Sequence, residues 1–354
     1  MTLHPRIVRL TPPRFSPDNI KEKVVCIRAH RERLFRVEFE QVGSKQIFHN
    51  YGHGGAGWTF LFGCVHESIR QCEQHCSNNL DAHASIAVIG AGCYGLLTAI
   101  MLARAGHTVR IIAREINDIN SYKAAGFFFP RPRKMSTPEE CTIFHARGIE
   151  SYRTYVQIIA GNHPFITCGP KLVPAYYGLD IDPGFGPYIE QKLIKQPEHV
   201  RIDFGNGKQH DVQHYDVLFI NAPIMMAELH REISTLGIPI AQETITNFAE
   251  LPESIIFNCA GMGAKDLAHD ARVIPVQGHL ITLKNQPPHE QLQYMINVKV
   301  TMTNPNGTQR DELIYYAPKD EGIAGITFIR GQDSLTTNHH EFDRLLQRCR
   351  EYFF

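Results

Sequence analysis

Three glycines in the segment IAVIGAGCYG have the spacing of a phosphate-binding turn. Gly90, Gly92 and Gly95 form a G-x-G-x-x-G pattern directly after a short β-type run. The first glycine permits a tight turn, the second lets the backbone approach a pyrophosphate, and the third lets the following helix pack closely on the strand. The N-terminus of that helix then faces the phosphate charge. The pattern predicts a dinucleotide site in which Ala91 also contacts the cofactor, and a merely tight strand-to-helix turn is the alternative.

The strand that follows this unit carries no acid at the usual place. Such a strand normally ends in an acidic residue that binds the ribose hydroxyls. In the segment TVRIIARE, Arg114 occupies that region and Glu115 follows one residue later. Either Glu115 reaches the ribose after a small shift, or Arg114 meets a 2′-phosphate. The fingerprint alone does not separate FAD from NAD(P).

A second glycine-rich loop, HNYGHGGAGWT, occupies residues 49–59. Because glycine has no side chain and adopts positive φ, such a loop suits close approach of the backbone to a planar ligand. The helix expected after it adds positive potential, which would favour negative charge on a reduced flavin ring. A glycine-rich β-turn without a ligand is the alternative. The candidate cofactor contacts in this loop are His53, Gly54, Gly55, Ala56, Gly57, Trp58 and Thr59.

Hydrophobic periodicity predicts the elements that hold these loops. Residues 5–17 are rich in proline and arginine and are expected to be irregular, and residues 135–230 show no clear period. The expected elements are a strand at 34–40, a helix at 58–76, a strand–turn–helix–strand unit at 86–112, strands at 255–261, 279–284, 294–303, 312–317 and 323–330, and a closing helix at 340–350.

One charge-free run, from residue 82 to residue 103, is long enough to span a membrane. Its three regularly spaced glycines favour a strand, a turn and a buried helix instead. The N-terminal sequence MTLHPRIVRL has no apolar core after its basic start, so no signal peptide is expected.

Composition narrows the class of protein further. A chain of 354 residues with 43% hydrophobic and 20% charged residues is typical of a globular protein with two domains or one large interleaved unit. Lysine and arginine number 36, as do aspartate and glutamate, so nothing favours a nucleic-acid or membrane partner. Nine scattered cysteines indicate reduced thiols and a cytoplasmic compartment. The set His66, Cys72, His75 and Cys76 fits a zinc site poorly, and no metal is expected.

The loop at 49–59 resembles the flavin-contacting loop of the D-amino-acid oxidase family of FAD-dependent amine oxidases. Further segments resemble other parts of that family. The segment at 119–130 is similar to the stretch beside the flavin, and that at 255–264 is similar to the strand ending under the pyrophosphate. The remaining matches are 273–283 (the next strand, into the substrate domain), 312–318 (the active-site strand with its tyrosine), 342–354 (the helix before the arginine strand) and 26–40 (the arginine strand itself).

These segments occur in a rotated order, since those that the family places last come first here. The chain is therefore interpreted as a circular permutant, in which the linker SNNLDAHAS at 77–85 joins the family's two ends. An unrelated N-terminal module fused to an ordinary Rossmann enzyme is the alternative. The resemblance implies an α/β fold with a Rossmann-like FAD-binding domain (40–134 with 230–272) and a mixed-sheet substrate domain (1–39 with 135–229 and 273–354).

The resemblance also implies the chemistry. Arg28 falls on the position of the carboxylate-binding arginine, and Tyr315 on that of a tyrosine that helps to hold the carboxylate. A planar guanidinium suits that task because it binds carboxylate through two parallel bonds. A surface arginine and a core tyrosine are the corresponding alternatives. Further cofactor contacts implied by the family are Ser121, Ala125, Gly126, Phe127, Ile245, Ala260 and Gly261.

The implied reaction is oxidation of a D-amino acid, or a similar amine, to an imino acid that hydrolyses to a 2-oxo acid. FAD accepts the hydride and oxygen reoxidises it to give peroxide. Departures from the family weaken the substrate assignment: Asp311 replaces a second tyrosine and would repel a carboxylate unless it points away, Ala29 replaces a proline, and the acid of the second strand is displaced. A glycine or secondary-amine oxidase, a dehydrogenase, and an inactive FAD-binding protein remain alternatives. A homodimer is compatible with the sequence.

Overall fold

The computed structural model describes residues 5–76, 85–131, 135, 137–303, 307–336 and 338–354. Its strands are β1 (Arg6–Arg9), β2 (Ile20–Arg31), β3 (Arg36–Val42), β4 (Lys45–Tyr51), β5 (Ser85–Ile89), β6 (Thr108–Ala113), β7 (Pro170–Gly178), β8 (Glu198–Asp203), β9 (Gln209–Ile220), β10 (Ile240–Gln242), β11 (Ile255–Asn258), β12 (Val273–Leu283), β13 (Met295–Thr303), β14 (Gln309–Ala317), β15 (Ile323–Ala324) and β16 (Ile329–Arg330). Its helices are α1 (Gly57–Cys76), α2 (Cys93–Arg104), α3 (Asn120–Lys123), α4 (Pro138–Ile159), α5 (Gly186–Glu190), α6 (Ala222–Thr235), α7 (Ala264–Leu267) and α8 (His339–Phe353).

A six-stranded sheet holds both glycine loops. Its order is β10-β6-β5-β11-β4-β3, and every pairing is parallel except that of β3 with β4. The central strands β5 and β11 are nearly continuous apolar runs because both of their faces are buried. Ile86 and Val88 pack in the same core as α1 and α2, whereas Ala87 and Ile89 face a second core that contains Phe248. This sheet brings the loop after β4 and the turn after β5 to the same edge.

A second, mixed sheet of ten strands has the order β1-β8-β9-β7-β13-β14-β15-β12-β16, with β2 also paired to β12. Strands β2 and β12 run antiparallel over most of their length, so Arg28 lies opposite Val276. Helix α8 packs one apolar face, including Phe342 and Leu345, against this sheet. The pairing joins a strand near the N-terminus to one in the second half of the chain.

Most of the expected elements are confirmed. The unit predicted at 86–112 is β5, the glycine turn, α2 and β6, and the helix predicted at 58–76 is α1. The described part of the charge-free run therefore forms a strand, a turn and a helix. Among the described residues, no helix is both long and apolar enough to cross a membrane. Of the linker predicted at 77–85, residues 77–84 lie outside the described residues.

Other expectations are wrong or incomplete. Residues Arg6–Arg9 form β1 rather than an irregular segment, because they pair in parallel with the distant strand β8. The predicted strand at 323–330 is divided into β15 and β16, since Gly325 adopts φ +78° and the chain leaves the ladder. The region without a clear period contains α4, whose start does carry a local signal: the Thr137 hydroxyl accepts a hydrogen bond from the Glu140 amide at 3.2 Å.

Candidate functional site

A cavity of about 1040 Å³ lies where the two sheets meet. It is lined by the loop after β4, the turn after β5, the end of β6, the segment after α3 and the turn after β11. Every site residue predicted from the sequence lines this cavity except Gly95. The sequence therefore identified residues that the fold brings together from distant parts of the chain.

Gly90 and Gly95 allow the backbone conformation and the close packing of the first glycine turn. Gly90 adopts φ +108°, and a Cβ atom there would lie 2.5 Å from the Cys259 carbonyl oxygen. A Cβ atom at Gly95 would overlap the Gly90 carbonyl, so this glycine lets α2 pack onto the turn without facing the cavity. Gly92 caps the start of α2 and lines the cavity together with Ala91. The positive end of α2 thus lies beside the cavity.

The residues at the end of β6 lie at an exposed edge of the cavity. Arg114 and Glu115 form an ion pair at 3.1 Å, and their side chains are 62% and 61% exposed. Both groups line the cavity, so both remain within reach of a ribose.

The loop after β4 is held by aromatic stacking. His53 is buried between Tyr94, at a ring-centroid distance of 3.9 Å, and Phe35, at 4.8 Å. The Tyr94 hydroxyl donates to the Gly57 carbonyl oxygen at 2.7 Å. These contacts fix the loop directly before α1 begins, so the residues Gly54, Gly55 and Ala56 present their backbone to the cavity.

Two predicted cofactor contacts at the start of α1 also join this helix to α3 and to the segment after α3. The Trp58 Nε1–H donates to the Ser121 carbonyl oxygen at 3.1 Å, and the Thr59 hydroxyl accepts from the Phe129 amide at 3.1 Å. The Ser121 hydroxyl in turn accepts from the Cys93 amide at 3.1 Å, at the start of α2. Ser121 therefore connects both glycine loops.

The segment that contains Ala125, Gly126 and Phe127 forms another wall. The Ile220 amide donates to the Gly126 carbonyl oxygen at 2.7 Å, and a Cβ atom at Gly126 would overlap the Ile220 carbonyl. Across the cavity, Ala260 and Gly261 follow β11. Ile245 lies beyond β10 and packs beside Ala260 on the second core.

Arg28 on β2 lies beside the loop after β4, since a Cβ atom at Gly55 would lie 3.6 Å from its Cδ atom. Its Nη1–H donates to the Thr327 carbonyl oxygen at 3.1 Å, and its Cζ lies 4.7 Å from the centre of the Phe328 ring. A Cβ atom at Gly278 would overlap its Nη2 atom. The guanidinium is half-buried and lines the cavity, so it is not a solvated surface arginine.

Tyr315 lies near Arg28 on β14 and is 7% exposed. Its ring centre is 4.0 Å from that of Phe127, in the segment after α3. Burial raises the pKa of Tyr315 well above its usual range, and a backbone hydrogen bond from Phe127 opposes that shift only in part. The phenol therefore stays neutral and can donate a hydrogen bond.

Asp311 does not share this position. Its side chain is exposed and accepts a hydrogen bond from the Thr301 hydroxyl at 3.0 Å, and it is not among the residues that line the cavity. The concern that its charge would repel a carboxylate is therefore removed. Ala29, the other departure, does line the cavity.

Sequence reasoning missed two cavity residues near Arg28 and Tyr315. Asn297 on β13 lies opposite Tyr315, is 4% exposed and lines the cavity. Phe328 is a cavity residue that is 55% exposed. The position of Asn297 is set by strand register, and that of Phe328 by a segment outside the ladder. Only Asn297, a polar residue among Met295, Ile296 and Val298, offered a signal in the sequence.

Comparisons with known proteins identify the family of the chain. A family model described as FAD dependent oxidoreductase matches residues 85–354, which begin at the first residue of β5. The chain is 28% identical over 216 residues to D-aspartate oxidase from Homo sapiens, covering 57% of this chain and 60% of that protein. It is 26% identical over 218 residues to D-amino-acid oxidase from Streptomyces coelicolor, covering 58% and 61%. The match therefore spans about three fifths of the length of these two relatives.

Solved structures show the same fold at low sequence identity. Glycine oxidase from Bacillus cereus aligns with a TM-score of 0.51 and 15% identity, covering 75% of this chain and 77% of that one. Iminodiacetate oxidase from Chelativorans sp. aligns with a TM-score of 0.50 and 16% identity, covering 74% and 77%. With the family model matching most of the chain, and the predicted glycine fingerprint lying in the matched part, the chain belongs to the FAD-dependent oxidoreductase family.

Proposed function

We propose that this protein oxidises an amino acid, of D-configuration, with FAD as its cofactor. The observation that carries the proposal is that Arg28 and Tyr315 line the same cavity as the glycine fingerprint. Oxidation of an amino acid by a dinucleotide cofactor requires a carboxylate-binding group and a dinucleotide-binding turn in one cavity. The names of the two curated relatives support the D-amino-acid class.

The cavity fits FAD on its own chemistry. The turn at Gly90 and Gly92 presents bare backbone at the N-terminus of α2, which suits a pyrophosphate. The loop ending at Gly57 presents backbone at the start of α1, which suits negative charge on a flavin ring. The volume of about 1040 Å³ exceeds what a small substrate alone requires. A flavin held here would supply a hydride acceptor for the substrate Cα–H, and we propose oxygen as the final acceptor.

The protein's own residues bind and orient the substrate in this proposal. The Arg28 guanidinium holds the α-carboxylate through two parallel hydrogen bonds. The neutral Tyr315 hydroxyl donates a further hydrogen bond to the same carboxylate. The Phe127 ring, in the segment after α3, lies against the Tyr315 ring and helps to exclude water from the reacting centre. Positioning of Cα is therefore the main contribution of the protein to the rate.

We also propose that the chain is a circular permutant with two discontinuous domains. The FAD-binding domain would comprise 40–134 with 230–272, and the substrate domain 1–39 with 135–229 and 273–354. Support comes from the sheets: β4, β5, β6, β10 and β11 fall in the first set and form one sheet, while β3 crosses its boundary. Residues before the linker contribute strands to both sheets.

The first test is an anaerobic titration of the FAD-loaded protein with a panel of D-amino acids, glycine and sarcosine. Bleaching of the flavin band by a D-amino acid supports the proposal. Bleaching by glycine or sarcosine alone moves the function to the other amine class, and no bleaching with any compound contradicts catalysis. Peroxide released after oxygen is admitted tests the acceptor.

The Arg28→Ala variant tests the carboxylate assignment. We expect kcat/KM to fall by about 100-fold or more, because a charge-assisted bidentate interaction contributes about 3 kcal/mol. Arg201→Ala is the matched control, since Arg201 forms an exposed ion pair with Asp211 and does not line the cavity. Unchanged kinetics in Arg28→Ala would remove Arg28 from the site.

A further inference from the structure

The Arg28 guanidinium is contacted by Gly278, Thr327 and Phe328, which belong to or directly neighbour one buried pair, His279 and Thr327. Gly278 precedes His279, the carbonyl contact comes from Thr327 itself, and Phe328 follows it. We propose that the hydrogen-bonded pair of His279 and Thr327 positions Arg28 for carboxylate binding. This inference rests on the proposed function of Arg28.

The pair of His279 and Thr327 joins strand β12 to a segment that lies outside the sheet ladder. Strand β12 pairs with β15 through Ile281 and Thr282, and with β16 through Val276 and Gln277. Between these pairings, residues 325–328 leave the ladder. There the Thr327 hydroxyl accepts the His279 backbone N–H at 3.0 Å, in place of a backbone carbonyl. This bond fixes an irregular segment whose position the ladder does not set.

The same hydroxyl also lies 2.7 Å from the His279 Nδ1 atom. Because its oxygen already accepts a backbone N–H, its own proton is available to donate to Nδ1, which requires a neutral imidazole protonated at Nε2. Thr327 is 5% exposed and His279 is fully buried, so both bonds are shielded from water. Two bonds to one hydroxyl hold Thr327 in a single orientation.

That orientation decides where the contacts to Arg28 lie. The Thr327 carbonyl oxygen accepts from Arg28 Nη1, and the Phe328 ring lies against the guanidinium. If the hydroxyl anchor is removed, both contacts move with the segment, whereas the ladder of β12 with β2 is unaffected. The pair thus acts on the carboxylate through Arg28 and touches no reacting atom.

The charges around His279 are consistent with a neutral ring. Burial lowers the pKa of His279, the Arg28 charge lowers it further, and only Glu341 acts in the opposite direction. Its other close neighbour is the Phe342 ring, at a centroid distance of 5.0 Å. A neutral His279 leaves Arg28 as the cation that faces the substrate carboxylate.

The test is the affinity of the FAD-loaded protein for propionate, a carboxylate without an amine to oxidise, measured from the perturbation of the flavin band. In Thr327→Val we expect Kd to rise about tenfold, because the variant lacks the hydroxyl that anchors the segment beside Arg28. Thr327→Ser, which keeps the hydroxyl, should bind propionate as the unmodified protein does. Thr154→Val is the matched control, because it removes another buried threonine hydroxyl, on α4.

A double-mutant cycle with His279→Leu gives a second measurement of the same interaction in case one single variant is unstable. If the two residues act as one unit, the combined loss of propionate affinity will be smaller than the product of the single losses. A Thr327→Val variant with full flavin content and unchanged propionate affinity would overturn the inference, provided that Arg28→Ala abolishes binding. If Arg28→Ala also leaves propionate binding unchanged, the carboxylate role of Arg28 fails, and the inference fails with it.

Discussion

The space beside Arg28 is set by a glycine on the neighbouring strand, two residues beyond Val276, which lies opposite Arg28. Gly278 and Arg28 lie on paired strands, and the guanidinium occupies the position that a side chain at 278 would fill. The long arginine side chain can thus lie flat on β12 and reach the cavity. The absence of a side chain at this position is therefore part of the proposed carboxylate site.

Gly278→Ala tests this contact. The new Cβ would overlap Arg28 Nη2, so the flexible guanidinium must move while the backbone keeps its place. We expect KM for the amino acid to rise about tenfold or more, with only a small change in the melting temperature. Gly186→Ala is the control, since no atom lies within 4 Å of the position that a Cβ atom would take there. An unchanged KM in Gly278→Ala would mean that the guanidinium orientation does not matter for binding.

Among single residues, the sequence predicted the groups that carry a motif and missed those defined by packing. Gly90, Gly92 and the loop around His53 have recognisable spacing, and all of them line the cavity. Gly278 and Thr327 contact Arg28 only because β2 pairs with β12 in one register and because residues 325–328 leave the ladder. No local pattern encodes a contact between residues so far apart in the chain.

Among the secondary-structure elements, the join between β4 and β11 places two cavity loops side by side. His49 on β4 is fully buried, and its Nδ1 accepts a hydrogen bond from the Asn258 side-chain amide at 3.2 Å. Its Nε2–H donates to Glu40 at 2.9 Å. Asn258 Oδ1 in turn accepts from the Ala260 amide, so the same contact shapes the turn after β11.

This join predicts a pH dependence of stability. Burial lowers the pKa of His49 from 6.5 to about 4, so the folded state binds fewer protons than the unfolded state between these values. Its contribution is therefore complete above pH 6.5 and is lost as pH falls toward 4. At pH 5 the loss is on the order of 2 kcal/mol. Thermal unfolding of the natural protein and of His49→Asn between pH 7.5 and 4.5 should show a smaller slope for the variant, and equal slopes would contradict the assignment.

The predictability of elements follows their dependence on local sequence. Helix α1 and the β5–α2–β6 unit have clear periodicity and were predicted within one or two residues. Strand β1 exists because β8 offers a partner, and β15 and β16 are short because Gly325 interrupts them. Elements of that kind depend on the assembled sheet and are not encoded in their own residues.

In the assembled chain, residues 5–76 contribute strands β1 and β2 to one sheet and strands β3 and β4 to the other. Strand β11 lies between β5 and β4, so removal of the first part of the chain would leave it at an exposed sheet edge. The same removal would expose a core that includes Phe48, Phe60 and Phe62, each fully buried. An unrelated fused module would share neither a sheet nor a core with the rest of the chain.

Expression of residues 85–354 alone therefore separates a circular permutant from a fusion. Because this fragment lacks β3, β4 and α1, we expect it to aggregate or to remain partly unfolded, and to retain no flavin. Co-expression with residues 1–84 should restore a folded complex that binds FAD, since the packed core does not require the linker. Gel filtration and the flavin absorbance of the purified material measure both outcomes. A fragment 85–354 that is folded and binds flavin by itself would contradict the permutation and favour the fused module.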